Sequence, residues 1–316
     1  MSAALRIATR QSRLALWQAE HVAARLRELH PGLEVVLVPM TTQGDRVLDR
    51  PLAEVGGKGL FIKELEIALQ EGRADIAVHS MKDVPSELPP GMTLAAMLTR
   101  ADPRDAFVSR RIAHFNELPQ NAHIGTSSLR RQSQLKALRP DLRISPLRGN
   151  VDTRLRKLDE GQYDAIILAA AGLKRLEYDQ HITHLIDVDQ SLPAVGQGVV
   201  GVECRADDAR SIAAVAALND PVSRICCECE RAFALRLQGS CQSPIAGFAQ
   251  LSGDRIELRG VVASEDGTTI YRGTIDGAVA DANALGTQLA QRLLDAGAEQ
   301  LLAEQRAASA HHLPPP

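Results

Sequence analysis

Aromatic residues make up only 3% of this 316-residue chain: one Trp, three Tyr and five Phe. A chain so poor in rings offers no platform for stacking nucleobases. Cysteine is sparse and odd in number, at five, which does not suit a disulfide framework. No apolar run approaches the roughly 18 residues needed to span a membrane. Met1 to Arg10 reads as a strand ending in Thr9-Arg10 and lacks the apolar core of a signal peptide. Net charge is small, at -3, and the pI is near 6.3. That balance argues against a general nucleic-acid binder. These absences point to a cytoplasmic globular protein. A hydrophobic fraction of 45% with 24% charged residues is ordinary for that class. The length suits two or three domains, each with its own core.

Against this background one stretch stands out. Residues 130–157 hold nine basic side chains and two acidic ones, a net +7 inside a mildly acidic chain. A local positive field of this size suggests a ligand with several negative groups. Arginine suits such a ligand because its planar fork grips carboxylate or phosphate in two places. Solvated helix faces account for Arg139, Arg143, Arg156 and Lys157. Arg130, Arg131, Arg148 and Arg154 differ, because they adjoin Thr126-Ser127-Ser128 and Gly149-Asn150. Those are helix-start and turn residues, whose free backbone N–H groups also attract anions.

The pattern along the chain predicts alternating strands and helices. Leu5 to Ala8 reads as a strand. Ser12 caps a helix to about His30, with Leu14, Trp17, Leu26 and Leu29 inward, stopped by Pro31-Gly32. Glu34 to Val38 reads as a buried strand, Lys58 to Glu71 as a helix, and Ala74 to His79 as a strand entering Ser80-Met81-Lys82-Asp83. A second cycle follows: strand 123–125, helix 128–138, strand 142–145, helix 151–160 and strand 165–169. Such alternation predicts parallel sheets with right-handed crossovers, and ligands at the carboxyl ends of the strands. The last third predicts a helix over 221–236, three strands over 245–251, 256–263 and 269–274, and a helix over 281–296. Candidate linkers are Thr99 to Asp105 and Ser191 to Gly198.

Several motifs lose their usual meaning in context. Gly196-Gln197-Gly198-Val199-Val200-Gly201 matches a dinucleotide fingerprint in letters, but a Pro-containing linker precedes it and a strand follows. Gly56-Gly57-Lys58-Gly59 is too short for a P-loop. Cys226-Cys227-Glu228-Cys229 lies in a helical pattern without a second ligand pair, so it reads as small buried hydrophobes and not as a metal site. Cys241, in Gly239-Ser240-Cys241-Gln242-Ser243-Pro244, sits in a small-residue loop. A thiol there is open to covalent chemistry or is an incidental loop cysteine.

Six segments carry a family resemblance. They are Ile7 to Ser12, Gly56 to Phe61, Ala77 to Pro85, Gly125 to Arg131, Leu147 to Arg154 and Leu192 to Gly198. Together and in order they resemble porphobilinogen deaminase, also called hydroxymethylbilane synthase. The resemblance implies an α/β protein with two doubly wound domains like those of two-lobed periplasmic binding proteins, and a small C-terminal α+β domain. Residues 1–98 with 199–217 would form domain one, 104–192 domain two and 221–306 domain three, with 307–316 a disordered tail.

The family's chemistry would then fall on named residues. Cys241 would hold a dipyrromethane cofactor through a thioether. Four porphobilinogens would be added head to tail with loss of ammonia, and hydroxymethylbilane released by water. Every pyrrole unit brings an acetate and a propionate, which explains an arginine-rich cleft. Asp83 would be the catalytic acid, stabilising the cations formed when ammonia leaves and when the next carbon–carbon bond forms. Ser80, Lys82, Thr126, Ser127, Ser128, Arg130 and Arg131 would bind the cofactor. Arg10, Ser12, Lys58, Arg148, Arg154, Arg175 and Gln197 would bind substrate. No metal, nucleic acid or membrane is expected. A monomer is expected, passing its product to the next pathway enzyme. The family more often has Gly where this chain has Ser240, and Val where it has Ser243. The alternative is a non-catalytic two-lobed binding protein for a polycarboxylate, which needs no loop thiol. A nucleic-acid module on the basic stretch would need a basic pI.

Overall fold

The computed structural model describes residues 4–46, 59–239 and 243–311. The chain runs β1 (Leu5–Arg10), α1 (Arg13–Leu29), β2 (Val35–Met40), α2 (Lys63–Gln70), β3 (Ile76–Ser80) and β4 (Met92–Met97). It continues with β5 (Asp105–Ser109), β6 (His123–Gly125), α3 (Leu129–Leu138), β7 (Arg143–Ser145), α4 (Val151–Asp159), β8 (Ala165–Ala169), α5 (Ala170–Arg175) and β9 (His184–Ile186). The last part holds β10 (Val200–Arg205), α6 (Ala209–Val215), α7 (Pro221–Arg236), β11 (Ile245–Ser252), β12 (Arg255–Ala263), β13 (Ile270–Ala278), α8 (Ala282–Leu293) and α9 (Glu299–His311).

Three sheets result. Their orders are β2-β1-β3-β10-β4, β7-β6-β8-β5-β9 and β11-β12-β13. The first two carry helices on both faces and form two lobes. In the first, Leu5 and Ile7 pack with Ala19, Val22 and Leu26 of α1, while Ala8 and Ala77 meet Leu65, Ala68 and Leu69 of α2. In the second, Phe107 and Ile124 pack with Leu135 of α3, while Ala106 and Ile166 meet Leu155 and Leu158 of α4. The alternation along each strand is the period-two pleat that feeds two helical layers. The third sheet is an antiparallel meander, packed through Leu258 on Phe233 of α7 and Leu289 of α8.

The expected all-parallel sheets are corrected to mixed ones. β1 is parallel to β2 and β3, and β6 to β7 and β8. β10 is antiparallel to β3 and β4, and β5 to β8 and β9. The reason is how these two strands arrive. A helical crossover returns the chain to the starting end of a sheet and makes parallel neighbours. β5 and β10 instead come straight from the other lobe, through residues 98–104 and 187–199. Each enters at the carboxyl ends of the parallel strands, Asp105 opposite Ala169 and Val200 opposite Ser80.

Smaller expectations are corrected too. Leu29 is exposed, and the inner face of α1 is Ala15, Gln18, Ala19, Val22, Ala23 and Leu26. Small alanines let that face approach the sheet closely. β2 is an edge strand, with Val36 exposed, and not a buried one. The helix expected over 58–71 is described from Lys63. α9 runs to His311, into the segment expected to be a disordered tail. Cys226, Cys227 and Cys229 are buried on α7, and burial pushes the Cys227 and Cys229 thiols up to about 12. Among the described residues no group of three or more His, Cys, Asp or Glu is placed to hold a metal ion.

Candidate active site

A cavity of about 1770 Å3 lies between the lobes, at the carboxyl ends of the parallel strands. Its first wall begins with Arg10 at the end of β1 and Ser12, the cap of α1, whose hydroxyl accepts from the Ala15 N–H at 3.3 Å. Ser80 ends β3, and a single 3-10 turn, Met81–Asp83, follows. Met81 is buried, so it anchors the turn that carries Lys82 and Asp83 on the cavity wall. The Ser80 hydroxyl accepts from Gln18 Nε2 at 2.8 Å.

The glycines of the second crossing are needed here. Gly196 and Gly198 have φ of +70° and +90°. A Cβ on Gly196 would lie 2.7 Å from Met81 Cβ, and one on Gly198 would lie 2.6 Å from Ala101 O. Only glycine takes both the positive φ and the close approach. The spacing that imitates a nucleotide fingerprint is therefore explained by packing against the Asp83 turn and the first crossing.

The second wall comes from α3, α4 and α5. Ser128 caps α3 and Asn150 caps α4, each accepting a backbone N–H in its helix's first turn. These caps set where the following arginines point. Arg154 Nε donates to Gly149 O at 2.8 Å, and Arg175 Nη2 to Gly198 O at 2.7 Å. Ser127 donates to Leu147 O at 3.0 Å. Arg148 lines the same wall. Thr126 is not on the cavity wall: it is buried, and its hydroxyl accepts from the Ser128 N–H at 3.2 Å. Cys241 and Lys58 lie outside the described residues.

Arg130 and Arg131 line the cavity but are deeply buried, at 4% and 6% exposure. Both bind one carboxylate, Asp105. Arg130 donates from Nη1 at 2.9 Å and Nη2 at 3.1 Å, and Arg131 from Nε at 3.0 Å and Nη2 at 2.8 Å. Burial pushes the Asp105 carboxyl up, but the two guanidiniums outweigh it and hold it well below the usual range. Gln197, expected at the substrate, is buried and donates to Asp105 at 3.0 Å and Pro103 O at 2.6 Å.

Charge in the cavity is unbalanced. Among the described residues, ten basic and five acidic side chains line it. Two of the acids are taken: Asp45 pairs with Arg10, and Asp152 with Arg13. Lys82 keeps some surface open to the cavity but is surrounded by protein. Burial pushes its pKa down to about 8, with Asp83 opposing and Arg131 adding. Burial and then Arg131 and Arg148 push Arg154 down to about 10, again with Asp83 opposing. Burial alone brings Arg175 to about 10. A ligand with several carboxylates would supply the missing negative charge, so the wall fits a dipyrromethane with its four acid arms.

Sequence reasoning missed Asp105, Asp45, Gln18 and Phe61, whose ring lies 4.4 Å from the Arg10 guanidinium carbon. One signal for Asp105 was available. Paired arginines at a helix start, once buried, need a carboxylate, and Asp102-Pro103-Arg104-Asp105 offers one beside the linker.

Two family models match the chain. "Porphobilinogen deaminase, dipyromethane cofactor binding domain" covers residues 5–213. "Porphobilinogen deaminase, C-terminal domain" covers residues 224–295. The chain belongs to the porphobilinogen deaminase family. It is therefore a transferase of the hydroxymethylbilane synthase type, with porphobilinogen as substrate and dipyrromethane as cofactor. Solved structures resemble it more distantly. A periplasmic substrate-binding protein of an ABC transporter from Coxiella burnetii has 14% identity, covers 70% of this chain and 94% of its own, and gives a TM-score of 0.44. The BvgS VFT2 domain of Bordetella pertussis (a double mutant) has 14% identity, 67% and 85% coverage, and a TM-score of 0.42. A putative methionine-binding lipoprotein of Bacillus subtilis has 10% identity, 68% and 89% coverage, and a TM-score of 0.43. These likenesses are slight and bear no functional weight beside the porphobilinogen deaminase match.

Proposed function

We propose that this cleft condenses four porphobilinogens head to tail on a dipyrromethane held by Cys241, with Asp83 as the catalytic acid, and then releases hydroxymethylbilane. What supports this reading is the crowding of half-buried cations, Lys82 and Arg154 among them, around Asp83 in one cavity. When bound, the dipyrromethane supplies the terminal pyrrole carbon that the first new unit joins.

The protein's part is electrostatic and positional. Asp83, fixed by the turn after β3, offers its carboxylate to a substrate ring N–H. There it gives a proton to the leaving amine, offsets as a carboxylate the positive charge that develops as ammonia leaves, and takes a proton back from the ring carbon as the new bond is completed. Arg148, Arg154 and Arg175 hold the acetate and propionate arms of porphobilinogen. Lys82, Arg130 and Arg131, with Ser127 and Ser128, face the arms of the cofactor. Arg10 serves substrate only by sharing its guanidinium with Asp45. We read the protein as a cytoplasmic monomer; among the described residues no helix is long and apolar enough to cross a membrane.

The test is an intact mass spectrum. Wild type should be heavier than its sequence by two pyrrole units, on the peptide containing Cys241. Cys241→Ala should have the bare sequence mass and be inactive. An active wild type at the bare mass would refute the covalent site. A protein that binds polycarboxylates but releases no ammonia from porphobilinogen would be the binding protein instead.

A further inference from the structure

Asp105 is the most heavily used side chain near the cleft, and nothing in the reaction above calls for it. Besides Arg130 and Arg131 it accepts from Ser191 Oγ at 2.9 Å and Gln197 Nε2 at 3.0 Å. Six donor contacts fill a carboxylate that has about four lone-pair sites. It is fully buried. The positions of its partners matter more than their number. Asp105 opens β5, directly after the first crossing between lobes. Ser191 and Gln197 belong to the second crossing, and Arg130 and Arg131 begin α3.

Other bonds tighten the same knot. Arg130 Nη1 donates to Leu192 O at 2.7 Å, and Gln134 of α3 holds both the N–H and the carbonyl of Leu192. Gln197 spans from Asp105 to the Pro103 carbonyl, joining the second crossing to the first. The two strands of chain between the lobes are thus bound to each other and to the arginine helix at one carboxylate.

We propose that Asp105 is a positioning residue, which sets the pivot between the lobes and fixes Arg130 and Arg131 for the cofactor. Without its charge two buried guanidiniums would stand side by side uncompensated, and would part. With it, the knot carries one net positive charge on the cavity wall before any ligand arrives. The pivot stands on the contacts alone; the cofactor role rests on the reading given under Proposed function.

Two measurements separate these claims. Distance labels carried by bio-orthogonal groups at Val36 of the first lobe and Leu138 of the second, both exposed, report lobe separation. In Asp105→Asn, which is nearly isosteric, the distance distribution should broaden by roughly twofold, as for a hinge freed of its restraint. The fraction of molecules with covalent pyrrole mass should fall roughly tenfold, because the buried arginines lose their fixed partner. A D105N distribution as narrow as wild type overturns the pivot. Full covalent mass in D105N overturns the positioning role. If D105N does not fold, Ser191→Ala carries the test. It cuts one tie only, so it should broaden the distribution while the covalent mass stays, and no broadening overturns the pivot. A wild type without covalent mass would sink the cofactor reading, while the distance measurement would still decide the pivot.

Discussion

Glu66 should make the protein lose stability as pH rises, and Glu66→Gln should abolish that loss. The residue sits on α2 at 8% exposure, near a buried pair, His79 Nε2 and Glu203 Oε2, 2.9 Å apart. Burial, then the charge of Glu203, push its carboxyl from the ordinary 4.5 up to about 7, with His79 opposing. Between those values the folded protein holds a proton that the unfolded chain has released. Stability from this group is full below pH 4.5, falls as pH rises, and levels off above about 7. At about 1.4 kcal/mol per pH unit, the whole fall is about 3 kcal/mol. Gln copies the shape of the protonated acid and does not titrate. The variant should therefore match wild type in acid and exceed it by about 3 kcal/mol at pH 8. Urea unfolding at a series of pH values checks this. Amide exchange in α2 should accompany it, because a chain with several lobes need not unfold in one step. Parallel stability curves for wild type and Glu66→Gln from pH 5 to 8 would refute the reasoning. Covalent cofactor mass should be the same in both.

Three further outcomes are expected. Asp83→Asn should keep the fold and lose most turnover, since removing one such electrostatic group costs about 3–4 kcal/mol of transition-state stabilisation; retention of more than about a tenth of the rate would take Asp83 out of the catalytic role. Arg148→Lys should lower kcat/KM, because a point charge cannot make the paired bonds to a carboxylate; equal values for the two proteins would end the bidentate argument. Cys204, Cys226, Cys227 and Cys229 should resist iodoacetamide at pH 8 in the native protein, since burial raises all four thiols. Rapid labelling of any of them, read by peptide mass, would contradict the buried assignment.

Much of the site was legible because caps and turns are local. Ser12, Ser128 and Asn150 cap their helices as their residue types require, which puts Arg130, Arg131 and Arg154 in the first turns that follow. The glycines at 196 and 198 announced a special backbone, though not its cause. Less legible was anything set by a distant partner. Arg10 looks in sequence like a carboxylate ligand for substrate, yet it is paired with Asp45 across 35 residues. Leu29 looks like core, but α1 turns Ala15, Ala19, Val22, Ala23 and Leu26 inward instead and leaves Leu29 exposed.

By itself, then, the sequence determined the βα units, the position of the cleft at their carboxyl ends, and the need for a multiply acidic ligand. Each of these follows from periodicity, capping or charge within short stretches. Tertiary structure alone decided the direction of β5 and β10 and the partners of Arg130 and Arg131. Both depend on where a strand enters from the opposite lobe, and on a buried carboxylate 25 residues away. No local signal encodes such pairings, because burial in a low-dielectric interior is what makes them necessary.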